Sequence, residues 1–214
     1  MAGDADGAGI PVEVTVCTFP SSAGRTLLVS VLPAMAEPPP IRTLSSREVY
    51  RSRWMRLRED EIVLPDGTPG RYGVVEKPDF ALIIPFDGKK FHLVEQFRYP
   101  VGERCVEFPQ GAWEGNEKPD PAALARGELE EETGLRAGSL RHLGRLFHAY
   151  GFCSQSFDVF LATELTAGEQ RLEPTEQGLR TLSLERTELE RMILDGTLRD
   201  GPSVAGYGML RLHE

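Results

Sequence analysis

Three glutamates in one short segment are the side chains of this sequence best suited to chemistry. At about 100° per helical residue, Glu128, Glu131 and Glu132 share one face of a helix, while Glu130 points away from them. Like charges at this spacing repel, and carboxylates near the end of a helix face the negative end of its dipole. A hard divalent cation such as Mg²⁺ turns that repulsion into coordination by oxygen. The alternative is a solvated acidic helix face, because charge runs are usually exposed.

The ends of this helix are marked by capping residues. Asp120 suits the N-cap position, Pro121 the first helical position, and Gly134 the position after the last turn. The sequence therefore predicts a helix over 121–133. An apolar stripe beside the glutamates is expected to pack on a sheet. It consists of Ala122, Ala125 and Leu129.

The block around the helix resembles the Nudix box, Gly-x5-Glu-x7-Arg-Glu-U-x-Glu-Glu-x-Gly-U, in eight of its nine fixed positions. Nine residues instead of seven separate Glu117 from the arginine position, and Gly127 occupies that position. The resemblance implies that this arginine orients the glutamates, so its loss is expected to loosen the metal site unless Arg126 replaces it. The matching residues are Gly111, Glu117, Glu128, Leu129, Glu131, Glu132, Gly134 and Leu135.

Runs on either side of the box resemble the ADP-ribose pyrophosphatase branch of the Nudix family. They are residues 72–77, 94–100 and 107–111. The resemblance implies hydrolysis of the pyrophosphate bond of a nucleoside diphosphate linked to a second group, with ADP-ribose or another nucleotide sugar as the leading substrate. Residues 148–152 lack the proline that members preferring ADP-ribose usually carry there. Dinucleoside polyphosphates, capped RNA ends and oxidised nucleotides remain open, as does a non-catalytic nucleotide sensor, which Gly127 motivates.

The resemblance also assigns roles at the reaction centre. It implies Mg²⁺, with Mn²⁺ as an alternative, held by Glu128, Glu131, Glu132 and the backbone carbonyl of Gln110. In related proteins the general base comes from a mobile loop after the box. The acidic loop 173–178 stands at that place, and we favour Glu176 over Glu173, against the alternative that both only solvate the loop.

Residues for substrate binding and dimerisation are expected before the box. Arg98 can contact phosphate or ribose, or form a buried ion pair. Phe97 or Tyr99 can stack on a base, although strand alternation puts Phe97 and Arg98 on opposite faces. Arg53 is a further candidate for substrate binding. In the ADP-ribose pyrophosphatase branch the N-terminal strands commonly exchange between subunits, so segment 53–77 is either a homodimer element or an ordinary intramolecular hairpin.

Composition excludes several classes of protein. The 214 residues carry a formal charge of −9, which argues against binding nucleic acid through a basic surface. No apolar run approaches the roughly 20 residues that span a bilayer. The three cysteines form no CxxC pattern, so neither a disulfide framework nor a zinc site is expected, and a reducing cytoplasm fits best. They are Cys17, Cys105 and Cys153.

The chain divides into a flexible arm over 1–45, rich in Gly, Ala and Pro, and a Nudix-like domain over 46–214 whose N-terminal strands occupy 46–77. Part of the arm, 26–36, is similar to a secretory leader, although acidic residues precede it, and Met35 is an alternative start. The pattern predicts an α+β fold with a mixed sheet sandwiched between helices and an antiparallel N-terminal region. Predicted strands are 53–64, 70–77, 81–86, 91–96, 141–147, 156–162 and 179–184, and further predicted helices are 185–194 and 203–212.

Overall fold

The computed structural model describes residues 41–112 and 120–214. In those ranges the chain forms three sheets, with strand orders β1-β2-β3, β10-β5-β6 and β7-β4-β9-β8, and three helices. The elements are β1 (Arg42–Arg51), β2 (Arg56–Val63), β3 (Pro69–Glu76), β4 (Phe80–Pro85), β5 (Lys90–Arg98), β6 (Glu103–Glu107), β7 (Gln110–Ala112), α1 (Pro121–Thr133), β8 (Leu135–Phe147), β9 (Ser156–Ala167), β10 (Arg180–Glu185), α2 (Arg186–Leu194) and α3 (Gly201–Leu212).

The N-terminal sheet is antiparallel throughout, as predicted. Its hairpin between β2 and β3 closes at Gly67, which has a φ of 87°, and the Asp66 carboxylate accepts a hydrogen bond from the Thr68 backbone N–H at 2.9 Å. The sequence pattern misses β1, because every residue of this strand is exposed and no face alternates. Since β1 begins at Arg42, it overlaps the predicted arm 1–45. Residues 1–40, with the leader-like segment, lie outside the described residues.

The hairpin predicted for 81–86 and 91–96 is wrong beyond its turn. The Asp87 N–H donates to the Lys90 carbonyl at 3.1 Å, and Phe86 and Phe91 form a single bridge. After that bridge β4 and β5 separate into different sheets. β4 is buried along its whole length and pairs with β7 on one side and, in parallel, with β9 on the other. A strand this apolar is stabilised when both of its faces are covered.

Apolar side chains cover both faces of the four-stranded sheet. On one face, Ala81 and Ile83 of β4 pack with Leu129 of α1. On the other face, Leu82 and Ile84 pack in a second cluster with residues of β5, α2 and α3. Successive side chains of a strand point to opposite sides, so β4 joins the two cores. Helices on both faces of a mixed sheet confirm the predicted fold class.

Two short strands, β6 and β7, are absent from the prediction. Between them, at Phe108 and Pro109, the chain crosses from the sheet of β5 to the sheet of β4. The Phe108 backbone N–H donates to Oγ of Ser203 in α3 at 2.8 Å, which fixes the crossing. β6 pairs with the preceding strand β5 across the turn 99–102, whereas β7 pairs with β4, which is distant in sequence. The crossing brings Glu107 and Gln110 to the boundary between two sheets.

The remaining predicted elements are present. Helix α1 matches its predicted bounds, and α2 and α3 begin within two residues of theirs. β8 and β9 contain the strands predicted for 141–147 and 156–162, and β10 is shifted by one residue from the predicted 179–184. Cys105 and Cys153 are free thiols, while Cys17 lies outside the described residues. Within the described ranges, no helix has the length and apolar character needed to cross a membrane.

Candidate active site

Helix α1 begins and ends at its capping residues. The Asp120 carboxylate accepts a hydrogen bond from the Ala122 N–H at 3.3 Å. Gly134, with a φ of 69°, donates to the Glu130 carbonyl at 2.8 Å. The Glu130 side chain pairs with Arg136 at 2.6 Å, on the side away from the other acidic residues. The caps therefore fix the face on which the remaining three glutamates stand.

Strand β7 lies directly against two of these glutamates. Glu132 is 1% exposed, and its carboxylate accepts a hydrogen bond from the Gln110 backbone N–H at 3.1 Å. The Glu128 carboxylate lies over Gly111, so closely that a Cβ at position 111 would overlap its oxygens. The structure thus brings Gln110 and the α1 glutamates together, and it gives a steric reason for the glycine that opens the box.

Burial and neighbouring carboxylates raise the pKa values of all three α1 glutamates. Burial, followed by the charge of Glu131, raises the pKa of Glu128 to about 8. Burial and Glu128 raise the pKa of Glu132 well above its usual value, and burial with Glu176 raises the pKa of Glu131. In the described part of the chain, no basic side chain forms a hydrogen bond or ion pair with any of the three. Their negative charge is therefore left to a ligand.

A divalent cation fits this site by charge and by donor chemistry. Mg²⁺ prefers oxygen ligands, and one or two carboxylates usually bind it while waters and substrate phosphates complete its shell. Within 41–112 and 120–214, no three His, Cys, Asp or Glu side chains form a ready-made metal cage. A cation bound here would therefore take its remaining ligands from water and substrate phosphates. The cluster is therefore a better match to Mg²⁺ than to a closed structural metal site.

A further acidic residue comes from the short turn Pro174–Glu176. The Glu176 carboxylate accepts a hydrogen bond from the Glu173 backbone N–H at 3.0 Å, which holds the turn. The charge of Glu176 raises the pKa of all three α1 glutamates, and burial raises its own pKa. Glu173 is exposed. Of the two loop acids, Glu176 is therefore the one partly buried beside the α1 glutamates.

Arg98 forms an ion pair, one of the two roles predicted for it, and its partner is the buried Glu107. Its Nε and Nη2 donate to Glu107, with Nε at 3.1 Å, and Glu107 is 2% exposed. Gln96 and Gln110 also donate to this carboxylate, at 2.7 Å and 3.3 Å. Gln110 reaches Asp200, the N-cap of α3, at 3.2 Å. Nη1 of Arg98 has no partner among the described residues, so it remains available to a ligand.

The sequence assigns no role to Glu107 or Asp200. Glu107 is part of the run 107–111 that carries the resemblance, but the sequence does not indicate that it pairs with Arg98. Asp200 has only the signal of a helix N-cap before Pro202. Their meeting at Gln110 depends on the crossing at 108–109, which no local pattern predicts.

A cleft of about 1060 Å³ opens beside this network, a volume that holds a small-molecule ligand. Gln110 and Gly111 line its inner end, and through them the cleft meets the α1 glutamates, which do not line it themselves. Its lining is mixed in charge: Lys77, Arg98, Arg104 and Arg199 are basic, Glu103, Glu107 and Asp200 are acidic, and each of the three arginines is paired with a glutamate.

Two predicted substrate-binding residues do not line the cleft. Phe97 is 54% exposed and lies on the face of β5 opposite Arg98, as strand alternation requires. Arg53 lies between β1 and β2, with its guanidinium 4.8 Å from the ring centre of Trp54. Tyr99, the alternative stacking residue, is also exposed. The single chain therefore brings neither Phe97 nor Arg53 to the cleft.

The arginine position of the box stays unfilled. Beyond its own helix backbone, no described residue has an atom within 4 Å of where a Cβ on Gly127 would stand. Arg126 donates from Nη1 to the Ala137 carbonyl at 2.5 Å, on the side of α1 that faces β8. It therefore does not replace the arginine beside the glutamates.

Two family models match the chain. The model for the NUDIX domain matches residues 75–201, which is more than half of the 214 residues. The chain belongs to the Nudix family. Residues 41–75, which contain β1, β2 and most of β3, match the model of the nucleoside diphosphate sugar hydrolase N-terminal domain. The protein is thus a Nudix pyrophosphohydrolase, and Nudix hydrolases generally depend on a divalent metal.

Individual proteins are similar over much of their length. An ADP-ribose pyrophosphatase of Bacillus subtilis (strain 168) is 32% identical over 133 residues, covering 62% of this chain and 71% of that protein. An ADP-ribose pyrophosphatase of Mycobacterium tuberculosis (strain ATCC 25618 / H37Rv) is 31% identical, covering 80% and 82%. A crystal structure of an ADP compounds hydrolase superposes with a TM-score of 0.72 at 19% identity, over 83% of this chain and 95% of that one. The last comparison supports the fold.

The contact between Gly111 and Glu128 predicts the effect of adding one methyl group. In Gly111→Ala the Glu128 carboxylate must move, and we expect the affinity for Mn²⁺ or Mg²⁺ to fall about tenfold or more in isothermal titration calorimetry. The free energy of unfolding should change by less than about 1 kcal/mol, because only the end of a flexible side chain is displaced.

The matched control is Gly73→Ala in β3, where nothing lies within 4 Å of the added Cβ. This control should bind the cation as the wild type does. Unchanged cation affinity in Gly111→Ala would show that the position of Glu128 over Gly111 does not matter for metal binding.

Proposed function

We propose that this Nudix protein hydrolyses the pyrophosphate bond of ADP-ribose or a closely related nucleotide sugar, with Mg²⁺, or alternatively Mn²⁺, as the cation. The observation that carries the proposal is the glutamate face of α1, whose carboxylates form no ion pair with the described residues, beside a cleft whose lining includes Arg98 and Lys77. Two similar proteins bear the name ADP-ribose pyrophosphatase. The N-terminal match to nucleoside diphosphate sugar hydrolases supports a nucleotide sugar as substrate.

The chain's own residues divide into those that hold the cation and those that act on the substrate. Glu128, Glu131, Glu132 and the carbonyl of Gln110 would hold the cation. When bound, Mg²⁺ neutralises charge on the pyrophosphate and lowers the pKa of a water molecule. Arg98 keeps Nη1 free for a phosphate oxygen while Glu107 holds its other donors.

Glu176 is the proposed general base. Its carboxylate takes a proton from water while the water oxygen attacks one phosphorus, and the bond from that phosphorus to the bridging oxygen breaks. With ADP-ribose the two products are AMP and ribose 5-phosphate. A base acts best when its pKa lies near the working pH, and burial raises the pKa of Glu176 in that direction.

We also propose that two copies pair through the N-terminal sheet. β1 is an edge strand with no buried residue, and it exposes Leu44, Val49 and Tyr50 by 60%, 52% and 53%. Exposed apolar edges of this kind favour pairing with another chain. Pairing would give Arg53 a route to the cleft of the other subunit. Sedimentation equilibrium that finds only monomer at micromolar concentration would contradict this pairing.

A substrate panel tests the proposed function directly. The protein is incubated with Mg²⁺ and ADP-ribose, other sugar nucleotides, a dinucleoside polyphosphate and NADH, and the products are identified by mass spectrometry. We expect ADP-ribose to give AMP and ribose 5-phosphate with the highest kcat/KM. Faster cleavage of the dinucleoside polyphosphate, or binding with no turnover across the panel, contradicts the proposal. Glu132→Gln, which removes one proposed ligand, is the inactive reference.

The two loop glutamates form a matched pair for testing the base. We expect Glu176→Gln to lower kcat by about 10²-fold or more, the usual scale for loss of a general base. Glu173→Gln removes an exposed carboxylate from the same turn and should cost much less. Single-turnover rates at saturating Mg²⁺ separate the two variants. The opposite order of effects would assign the base to Glu173.

A further inference from the structure

The last turn of α1, which carries Glu131 and Glu132, receives hydrogen bonds from another part of the chain. The final four carbonyls of an α-helix have no donor within the helix, so other groups must bond to them. Residues 168–171, which follow β9 and which we call the anchor segment, supply two of these donors. The Arg171 N–H donates to the Glu131 carbonyl at 3.0 Å, and Nε2 of Gln170 donates to the Glu132 carbonyl at 2.7 Å.

Two further contacts hold the anchor segment against the end of α1. The Gly168 N–H donates to the Gly134 carbonyl at 2.6 Å. A Cβ on Gly134 would stand only 3.1 Å from the backbone nitrogen of Gln170, so the helix end and the segment are in close contact. Of the three hydrogen bonds, the one from Gln170 is made by a side chain. A substitution of Gln170 can therefore remove that bond without changing the backbone.

The anchor segment leads directly into the turn that carries Glu176. Only Leu172 and Glu173 separate it from the turn Pro174–Glu176. Within the turn, the Glu176 N–H donates to the Glu173 carbonyl at 3.0 Å, and the Glu173 N–H donates to the Glu176 carboxylate at 3.0 Å. Because these bonds are local, they fix the shape of the turn but not its distance from α1. That distance depends on where the chain is held on either side of the turn.

Beyond Glu176 the chain is held by the sheet of β5 and β6. Leu179 is buried, and its N–H donates to the Glu176 carbonyl at 3.0 Å. Nη2 of Arg104 in β6 donates to the Gly178 carbonyl at 2.9 Å and to the Glu95 carbonyl in β5 at 3.1 Å. Neither contact involves α1. The anchor segment is therefore the connection that relates the position of Glu176 to the glutamates of the helix.

We propose that Gln170 is a positioning residue for hydrolysis: its hydrogen bond to the Glu132 carbonyl holds the Glu176 turn where the Glu176 carboxylate can reach the attacking water. This assignment rests on the proposed function, since it takes Glu176 as the general base. Proton transfer requires the base to lie within hydrogen-bonding distance of the water, so a small displacement of the turn lowers the rate. The Glu132 backbone bonds to the anchor segment while its carboxylate belongs to the cation site.

Kinetics of Gln170→Met test the proposal, because methionine keeps the length of the side chain and lacks the donor. Gln170 is exposed, so the variant is expected to fold. The kcat for ADP-ribose should fall about tenfold or more. KM and the affinity for Mn²⁺ in calorimetry should stay within about twofold of wild type, because no ligand on α1 is changed. The matched control is Gln177→Met, an exposed glutamine next to the same turn, which should keep the wild-type kcat.

A double variant separates positioning of Glu176 from general support of α1. In the Glu176→Gln background, Gln170→Met should lower kcat by less than about twofold further, because the group that Gln170 positions is already gone. An equal loss of kcat in both backgrounds overturns the proposal. So does an unchanged kcat in Gln170→Met, or a loss of Mn²⁺ affinity as large as the loss of kcat.

Hydrogen exchange measured by mass spectrometry tests the same contact without requiring turnover. The amides of Glu176 and Leu179, both bonded within this region, should exchange faster in Gln170→Met than in wild type, while those of α1 keep their rates. Equal exchange in the two proteins overturns the role of Gln170. If the wild type cleaves no nucleotide of the panel, the proposed function fails, and the exchange rates alone decide whether Gln170 holds the turn.

Discussion

Repulsion among carboxylates packed against one another is the constraint on which the site depends. Glu128 and Glu132 stand on one face of α1, shielded from water, with Glu131 and Glu176 close enough to raise their pKa values. Arg98, whose charge acts on Glu132, is bound to Glu107. Within the described residues no basic side chain pairs directly with the α1 carboxylates, so a bound cation would neutralise them, and the surrounding elements hold the carboxylates in place.

That frame is built from several parts of the chain. Caps at Asp120 and Gly134 fix the ends of α1, while Leu129 anchors the adjoining face of the helix in the core. In strand β7, the Gln110 N–H donates to the Glu132 carboxylate, and Gly111, which has no side chain, leaves room for the Glu128 carboxylate. The crossing at 108–109 then links β7 to the ion pair between Arg98 and the buried Glu107, and to α3. Rigid support of this kind is what positions charged groups for catalysis.

Local features of the site are readable from the sequence, and long-range ones are not. Capping chemistry predicts α1 to the residue, and helical spacing predicts which glutamates share a face. By contrast, β1 is exposed along its length and leaves no pattern, and the split of β4 from β5 depends on pairing with β9, far along the chain. The contacts of Glu107 likewise arise only when separate strands meet. Arg53 and Phe97, selected by residue type, lie outside the cleft of the single chain.

Proton release on binding Mg²⁺ tests the central claim most directly. With its pKa raised to about 8, Glu128 is mostly protonated at pH 7 and must lose that proton to bind a cation. Titrations at pH 7 in buffers of different ionisation enthalpy should show release of at least one proton, because the pKa of Glu132 is raised as well, and affinity should rise with pH. Glu128→Gln should bind more weakly and release fewer protons. Binding without proton release, and with equal affinity in Glu128→Gln, would contradict a metal site on this face of α1.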